Sequence, residues 1–337
     1  MKTPYLLLTN ASACLRYLVL RDIFQLPSDD AELRELRFLR EEDPIVNEII
    51  HSFNLRSKSA SAYLLSFKLA QMGYLGFDVS HPVVKELAEA LFENQAADGS
   101  WNEMQSEDEA EEKEELPKIV RIRPLRTAYL LRGLAMCGYA EDPRAEKAYE
   151  WLLTYQLPDG GWAGGITDGV YAGPAGYRRL PQSRWGCRTT TTMILLCFAG
   201  HPNRRRAPAV QKSLDLLLGR ETREVHNLGI EVARMAGVEK PKGFATYFAR
   251  FDLVLLLDLC AKIGAGVNDE RVKSLVEFFE GLQGPYGLWE NPAYPQACHW
   301  ITFDILRALM QLKGNDDWVS LTPQAPFDAQ QRARKRF

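Results

Sequence analysis

AEKAYEWLLTYQLPDGGW, residues Ala145–Trp162, is the stretch that decides the fold. Ala145, Ala148, Tyr149, Leu152 and Leu153 fall at i, i+3, i+4, i+7 and i+8, one apolar face of a helix. Gln156 follows, then a Pro-Asp-Gly-Gly turn, then Trp162. The same order returns in HPVVKELAEALFENQAADGSW (His81–Trp101) and DERVKSLVEFFEGLQGPYGLW (Asp269–Trp289). A helix, a terminal Gln, a glycine turn and a Trp, repeated in this way, mark a chain built from copies of one unit.

Glycines that stop helices give the period. Gly73, Gly138, Gly200, Gly264 and Gly314 recur at intervals of roughly 50 to 65 residues, and each interval holds two helices. The helices before these glycines (Ser57–Met72, Arg121–Cys137, Cys187–Ala199, Phe248–Ile263 and Cys298–Leu312) are apolar nearly all round, so they should be buried. Their partners, such as Pro82–Gln95 and Ala207–Leu218, carry one apolar stripe and should face water on the other side. With Asn10–Phe24 added to the buried set, two concentric layers of helices closed on themselves satisfy both patterns. The spacing therefore predicts an all-α protein, a single α/α toroid of helical hairpins. Residues 1–56 complete the barrel, 57–315 form the repeats, and 316–337 are a tail of the same domain.

Composition narrows the function classes. The chain has 337 residues, 46% hydrophobic and 25% charged, with a net charge of −3. That balance fits a soluble globular protein and argues against general nucleic-acid binding. No apolar run is long enough to span a membrane, and Leu6–Leu8 is too short an apolar core for a leader ahead of Cys14. Six cysteines without a CxxC pair read as reduced core thiols in a cytoplasmic protein. Met104–Lys118 reads as a solvated acidic loop, and the segment from Trp162 to Gly186 as a long glycine-rich loop, a kind often tied to function.

Gln-x-x-Asp-Gly-x-Trp after a helix resembles the QW motif of squalene–hopene and oxidosqualene cyclases, and is similar to the repeats of protein prenyltransferase β subunits. The resemblance covers most of Ser57–Leu312. It implies an α6/α6 barrel with an active cavity at the end where inner helices begin. It also implies that Gln95, Trp101, Gln156, Trp162, Gln283 and Trp289 are girdle residues rather than catalytic ones. The cyclases protonate their substrates with an Asp-x-Asp-Asp acid, which this chain lacks; Asp29-Asp30 and Asp316-Asp317 read as a cap and a tail.

Prenyltransferases hold zinc with an Asp-x-Cys pair and a His. Asp258-x-Cys260 matches by spelling but ends its helix, whereas Asp252 starts one, with Val254 in place of the Cys. His299 starts an inner helix, as the family's zinc His does. Cys187, Asp252, Cys298 and His299 are thus the candidate zinc ligands, with Asp252 and His299 as candidate catalytic groups. Trp185, Arg188, Tyr247, Phe251 and Trp300 cluster at inner-helix starts as a candidate substrate pocket, where aromatic faces would stabilise a cation. Phe248 and the arginines Arg126 and Arg250 lie nearby. Asp304, Arg307 and Gln311 form a polar stripe on the last inner helix, facing a wet lumen or pairing within itself. The resemblance implies an isoprenoid- or lipid-handling enzyme with an apolar ligand, with Zn, or Mg with a diphosphate substrate, as candidate cofactors and with peripheral membrane contact. The alternative is a non-catalytic toroid that binds an apolar ligand or a protein partner.

Overall fold

The computed structural model describes residues 5–9, 11–51, 62–101, 121–167, 169–172, 179–180, 183–219, 227–238 and 252–315. The acidic loop, the basic tail, Tyr247, Phe248, Arg250 and Phe251 lie outside the described residues.

Helices dominate. α1 (Ala13–Leu18) runs into a π-helical turn, Val19–Ile23, and is followed by α2 (Ala31–Leu39) and α3 (Pro44–His51). Then come α4 (Ala62–Tyr74), α5 (Pro82–Phe92), α6 (Pro124–Met136), α7 (Pro143–Thr154), α8 (Arg188–Ala199) and α9 (Pro208–Leu218). A short α10 (Ile230–Met235) precedes α11 (Leu253–Ile263), α12 (Glu270–Leu282) and α13 (Cys298–Leu312). Starts are set by local chemistry. Asp30, Asp142 and Asp269 each cap a helix by accepting from a backbone N–H two residues on. Proline occupies the first position of α5, α6, α7 and α9, where its missing N–H costs nothing.

Two layers result. α4 packs on α6, α6 on α8, α8 on α11 and α11 on α13; α13 then meets the π-helical turn of the first helix. These are the all-apolar helices, and α8 is buried along its whole length. α5, α7, α9 and α12 each lie against the inner helix before them. Their faces divide as the stripe requires: α12 buries Val272, Leu275 and Phe279 and leaves Lys273 and Glu280 in water.

Not every stop glycine works as expected. Gly138 and Gly264 take the left-handed φ of a helix terminator, +88° and +102°. Gly73 instead lies within α4, and a Cβ there would stand 2.4 Å from the Met136 carbonyl oxygen. Gly133 on α6 meets Ser66 in the same way. These two glycines let α4 and α6 approach backbone to backbone.

The repeated Gln and Trp form one hydrogen-bonded joint, built three times. Each Trp indole donates to a carbonyl ten residues back on its own outer helix: Trp101 to Leu91, Trp162 to Leu152 and Trp289 to Phe279, at 2.7 to 2.9 Å. Each Trp backbone N–H donates to a threonine hydroxyl on the next inner helix, Thr127, Thr191 or Thr302. Each Gln side chain donates across its own turn, to Gly99, Gly160 or Gly287. Gln95 and Gln156 also donate to the starts of the following outer helices, at Arg144 and Ala209, both at 2.9 Å. The α8–α9 copy has no such Gln. There Asp215 of α9 pairs with Arg271 at the start of α12, at 2.5 Å, and Asp269 holds the same guanidinium at 2.6 Å. A buried ion triad takes the place of the amide clamp.

The loop after Trp162 contains structure that period reading misses. Its β2 (Gly165–Thr167) and β3 (Val170–Ala172) form a small antiparallel sheet with β1 (Arg121–Ile122), which precedes α6, in the order β1-β2-β3. The strands are two or three residues long, too short for an alternation to declare itself.

Candidate functional site

One short helix packs between the inner helices. α10 contacts α4, α11 and α13, which are not all neighbours of one another, and its Glu231 pairs with Arg132 of α6 at 2.5 Å. All six of its side chains are buried. Its start is fixed by Asp252, which caps α11 through Val254 N and also turns back. Asp252 accepts from the Gly229 and Glu231 backbone N–H groups at 2.8 and 2.9 Å. Gly229 takes φ +77°, and a Cβ there would strike Ile301 of α13. Glycine is the residue that lets the chain pass this close to α13. Gln71 of α4 donates to the Arg234 carbonyl and holds the other end.

Beside α10 lies a cavity of about 80 Å³. Met136, Leu196, Val232, Met235, Val254 and Leu255 give it apolar walls. The rest is a charged network. Tyr74 donates to one oxygen of Asp304 at 2.9 Å, and Arg307 donates to the other at 2.7 Å. Arg307 also reaches Asp258 at 3.4 Å, and Lys262 pairs with Asp258 at 2.6 Å. The two carboxyls are pushed apart. Burial and the nearby Asp258 raise the pKa of Asp304. Burial also acts on Asp258, but Lys262 and Arg307 outweigh it and hold that carboxyl below its ordinary range. Burial, with Asp304 adding to it, raises Tyr74 well above the ordinary phenol. Such a split pair is the arrangement from which acid and base roles are drawn. The cavity sits toward the ends of α4, α6 and α8 and runs along α11 from Val254 to Lys262, not at the shared starts where the resemblance places a pocket.

The sequence-predicted residues fall in several places. Trp300 is buried, its ring 5.5 Å from that of Tyr74, so it backs the cavity wall. Trp185 is half-buried with the Arg184 guanidinium 5.0 Å from its ring centre. Arg188 is buried and donates to the Leu217 carbonyl. Cys187 is buried at the start of α8, and His299 is half-buried in the first turn of α13. Tyr247 and Phe251 lie outside the described residues. Asp304 and Arg307 pair and line the cavity, while Gln311 is exposed.

Cys187, Asp252, Cys298 and His299 are not assembled into a metal site; among the described residues no three His, Cys, Asp or Glu stand together to hold an ion. The reason is visible at the start of α10. Leu253 N donates to Asn227 O, and Asn291, whose backbone N–H reaches the Cys298 sulfur, donates its amide to Leu228 O. The 227–229 stretch is thus bonded to both flanks, and the Asp252 oxygens are already used by backbone donors.

Burial pushes Asp252 up to about 6, with repulsion from Glu231 adding to it, although three backbone N–H groups pull the other way. The folded state therefore holds this proton more tightly than the unfolded chain does. Its contribution is fully present below about pH 4 and is lost as pH rises through about 6, a loss of about 3 kcal/mol. Urea unfolding of the wild type and Asp252→Asn at pH 4.5 and pH 7 checks this. The stability of the wild type relative to the variant should fall between those two values; a constant difference would show that Asp252 does not titrate there.

No protein-family profile matches the chain, and no curated protein does. Among solved structures it is similar to type II terpene cyclase MstE from Scytonema, at 14% identity over 79% of this chain and 95% of that one, with a TM-score of 0.31. A variant of that cyclase in complex with geranylgeranyl dihydroxybenzoate gives 14% identity, 80% and 95% coverage and a TM-score of 0.31. A protein from Actinoplanes gives 14%, 74%, 90% and 0.29. Values at this level assign neither family nor activity. No helix among the described residues is long and apolar enough to cross a membrane.

Proposed function

We propose that the inner helices close into an α/α toroid whose lumen binds an isoprenoid or comparably apolar lipid, and that the protein holds this ligand without converting it. The observation that carries the reading is the cavity inside the inner layer, apolar on one side and charge-neutralised on the other. A ligand with an apolar body and a polar head matches that division. At about 80 Å³ the cavity is far below the ~300–1,000 Å³ of a complete small-molecule site. Uptake of a whole ligand therefore requires the inner helices to part around α10.

Binding is favoured over cyclisation by the state of the acids. Asp304 already accepts from Tyr74 and Arg307, and Asp258 from Lys262 and Arg307. A proton donor to an alkene would have to break those contacts, and the cations beside it would oppose a carbocation. The catalytic reading rests on one contrary observation, the opposite displacement of the Asp258 and Asp304 pKa values.

Solvent extraction of the purified protein, with mass spectrometry of the extract, decides the first point. Incubation with geranylgeranyl and farnesyl substrates decides the second. A stoichiometric lipid that is recovered unchanged supports binding. A new product that disappears in Asp304→Asn supports the enzyme instead. An empty extract with no uptake of added lipid contradicts both.

A further inference from the structure

Arg234 is a buried cation outside the ion network described above. Its side chain is 1% exposed, yet Nε, Nη1 and Nη2 have no hydrogen-bond partner among the described residues. The guanidinium lies 5.5 Å from the centre of the Phe67 ring, which offers an attractive face but no acceptor. At ~100° of rotation per residue it projects about 60° from Glu231, about 100° from Met235 and about 160° from Val232 around α10. Its side is that of α4 and α6. Other polar atoms of the inner helices are also without partners among the described residues. Arg132 Nε has no partner, and neither have the hydroxyls of Thr189 and Thr192. Those threonines lie on the same stripe of α8 as Leu196, which lines the cavity. Burial and Glu231 push Tyr129 up to about 12 while Arg132 and Arg234 pull it down, so these groups share one neighbourhood. A buried guanidinium without acceptors is costly, and the group that best repays it is planar and anionic, taking two parallel N–H bonds.

Given the lipid-binding reading, on which it rests, we infer that Arg234 receives the carboxylate head of an acidic lipid, with Arg132 beside it. The ligand class is thereby narrowed from apolar lipids in general to long-chain carboxylic acids. The competing account is internal: Glu231 Oε2 or Gln71 Oε1, both unpartnered, would turn to accept from Arg234.

Calorimetric titration with geranylgeranoic acid, geranylgeraniol and sodium acetate separates these, using the full chain, Arg234→Met and Arg234→Lys. The wild type should bind the acid about tenfold or more tightly than the alcohol. R234M should bind both alike, R234K should lie between, and R234M without ligand should unfold at the wild-type temperature or above it. Equal affinity for acid and alcohol in the wild type, or an acid preference kept in R234M, overturns the inference and leaves lipid binding intact. A marked loss of stability in ligand-free R234M shows an internal partner and also overturns it. Stabilisation of the wild type but not R234M by acetate, with neither lipid bound, keeps the anion site and removes the lipid reading. No response to any of the three overturns both.

Discussion

Arg271→Leu should destabilise the protein by about 3–5 kcal/mol in urea unfolding, because it strands two buried carboxylates. Asp215 and Asp269 are both fully buried, and Arg271 is their shared cation. The guanidinium also caps the Asp215 carbonyl from Nη1. Removing Asp215 as well, in Arg271→Leu with Asp215→Leu, should recover part of the loss, since one uncompensated charge goes with it. Arg144 provides the control. It stands at the matching place on α7 and pairs with Asp142 and Glu89, but its side chain is 40% exposed. Arg144→Leu should cost no more than about 1 kcal/mol. Equal losses from the two substitutions would show that burial of the triad is not what makes it matter.

Trp162→Ala should cost about 3–5 kcal/mol by the same measurement, from the cavity left behind by a large buried side chain. The ring is wholly buried and joins three elements: the Leu152 carbonyl on α7, Thr191 on α8 through its backbone, and the turn closed by Gln156. Trp162→Phe keeps most of the volume but leaves the Leu152 carbonyl without its indole donor, and should cost about 1–3 kcal/mol. If the alanine and phenylalanine variants lose the same amount, the hydrogen bond rather than packing carries the joint. Gln156→Ala should be milder than W162A, because the Gln is only half-buried.

The layers were legible in the sequence because burial writes itself into periodicity. LVLLLDLCAKI in α11 is apolar on nearly every side, and AEKAYEWLLT in α7 on only one. The joints were legible because Gln, glycine and Trp recur at fixed spacing. Their third member was not: Thr127, Thr191 and Thr302 are ordinary residues in an inner helix until a Trp backbone N–H is seen pointing at them. α10 was missed for a physical reason. Six residues make too few turns to show a period, and Glu231 and Arg234 look like surface charges until α6 supplies Arg132. The cavity was half legible. Asp304 and Arg307 stand out on α13, but Asp258 read as a stray match to a zinc motif, whereas its i,i+4 partner Lys262 was the better clue. Asp252 stood out at a helix start as a candidate catalytic group and zinc ligand; what surrounds it are backbone donors.

α10 is where the fold and the proposed ligand meet, and hydrogen exchange reads it directly. In α10 the amides of Ala233 and Ala236 donate to Gly229 and Val232 at 2.9 Å, with every side chain of the helix buried. Without ligand these amides should exchange about as slowly as those of α6, and binding of geranylgeranoic acid should slow them further. Exchange at the rate of an open loop, unchanged when the acid is added, would mean that α10 is neither packed between the inner helices nor part of the ligand site.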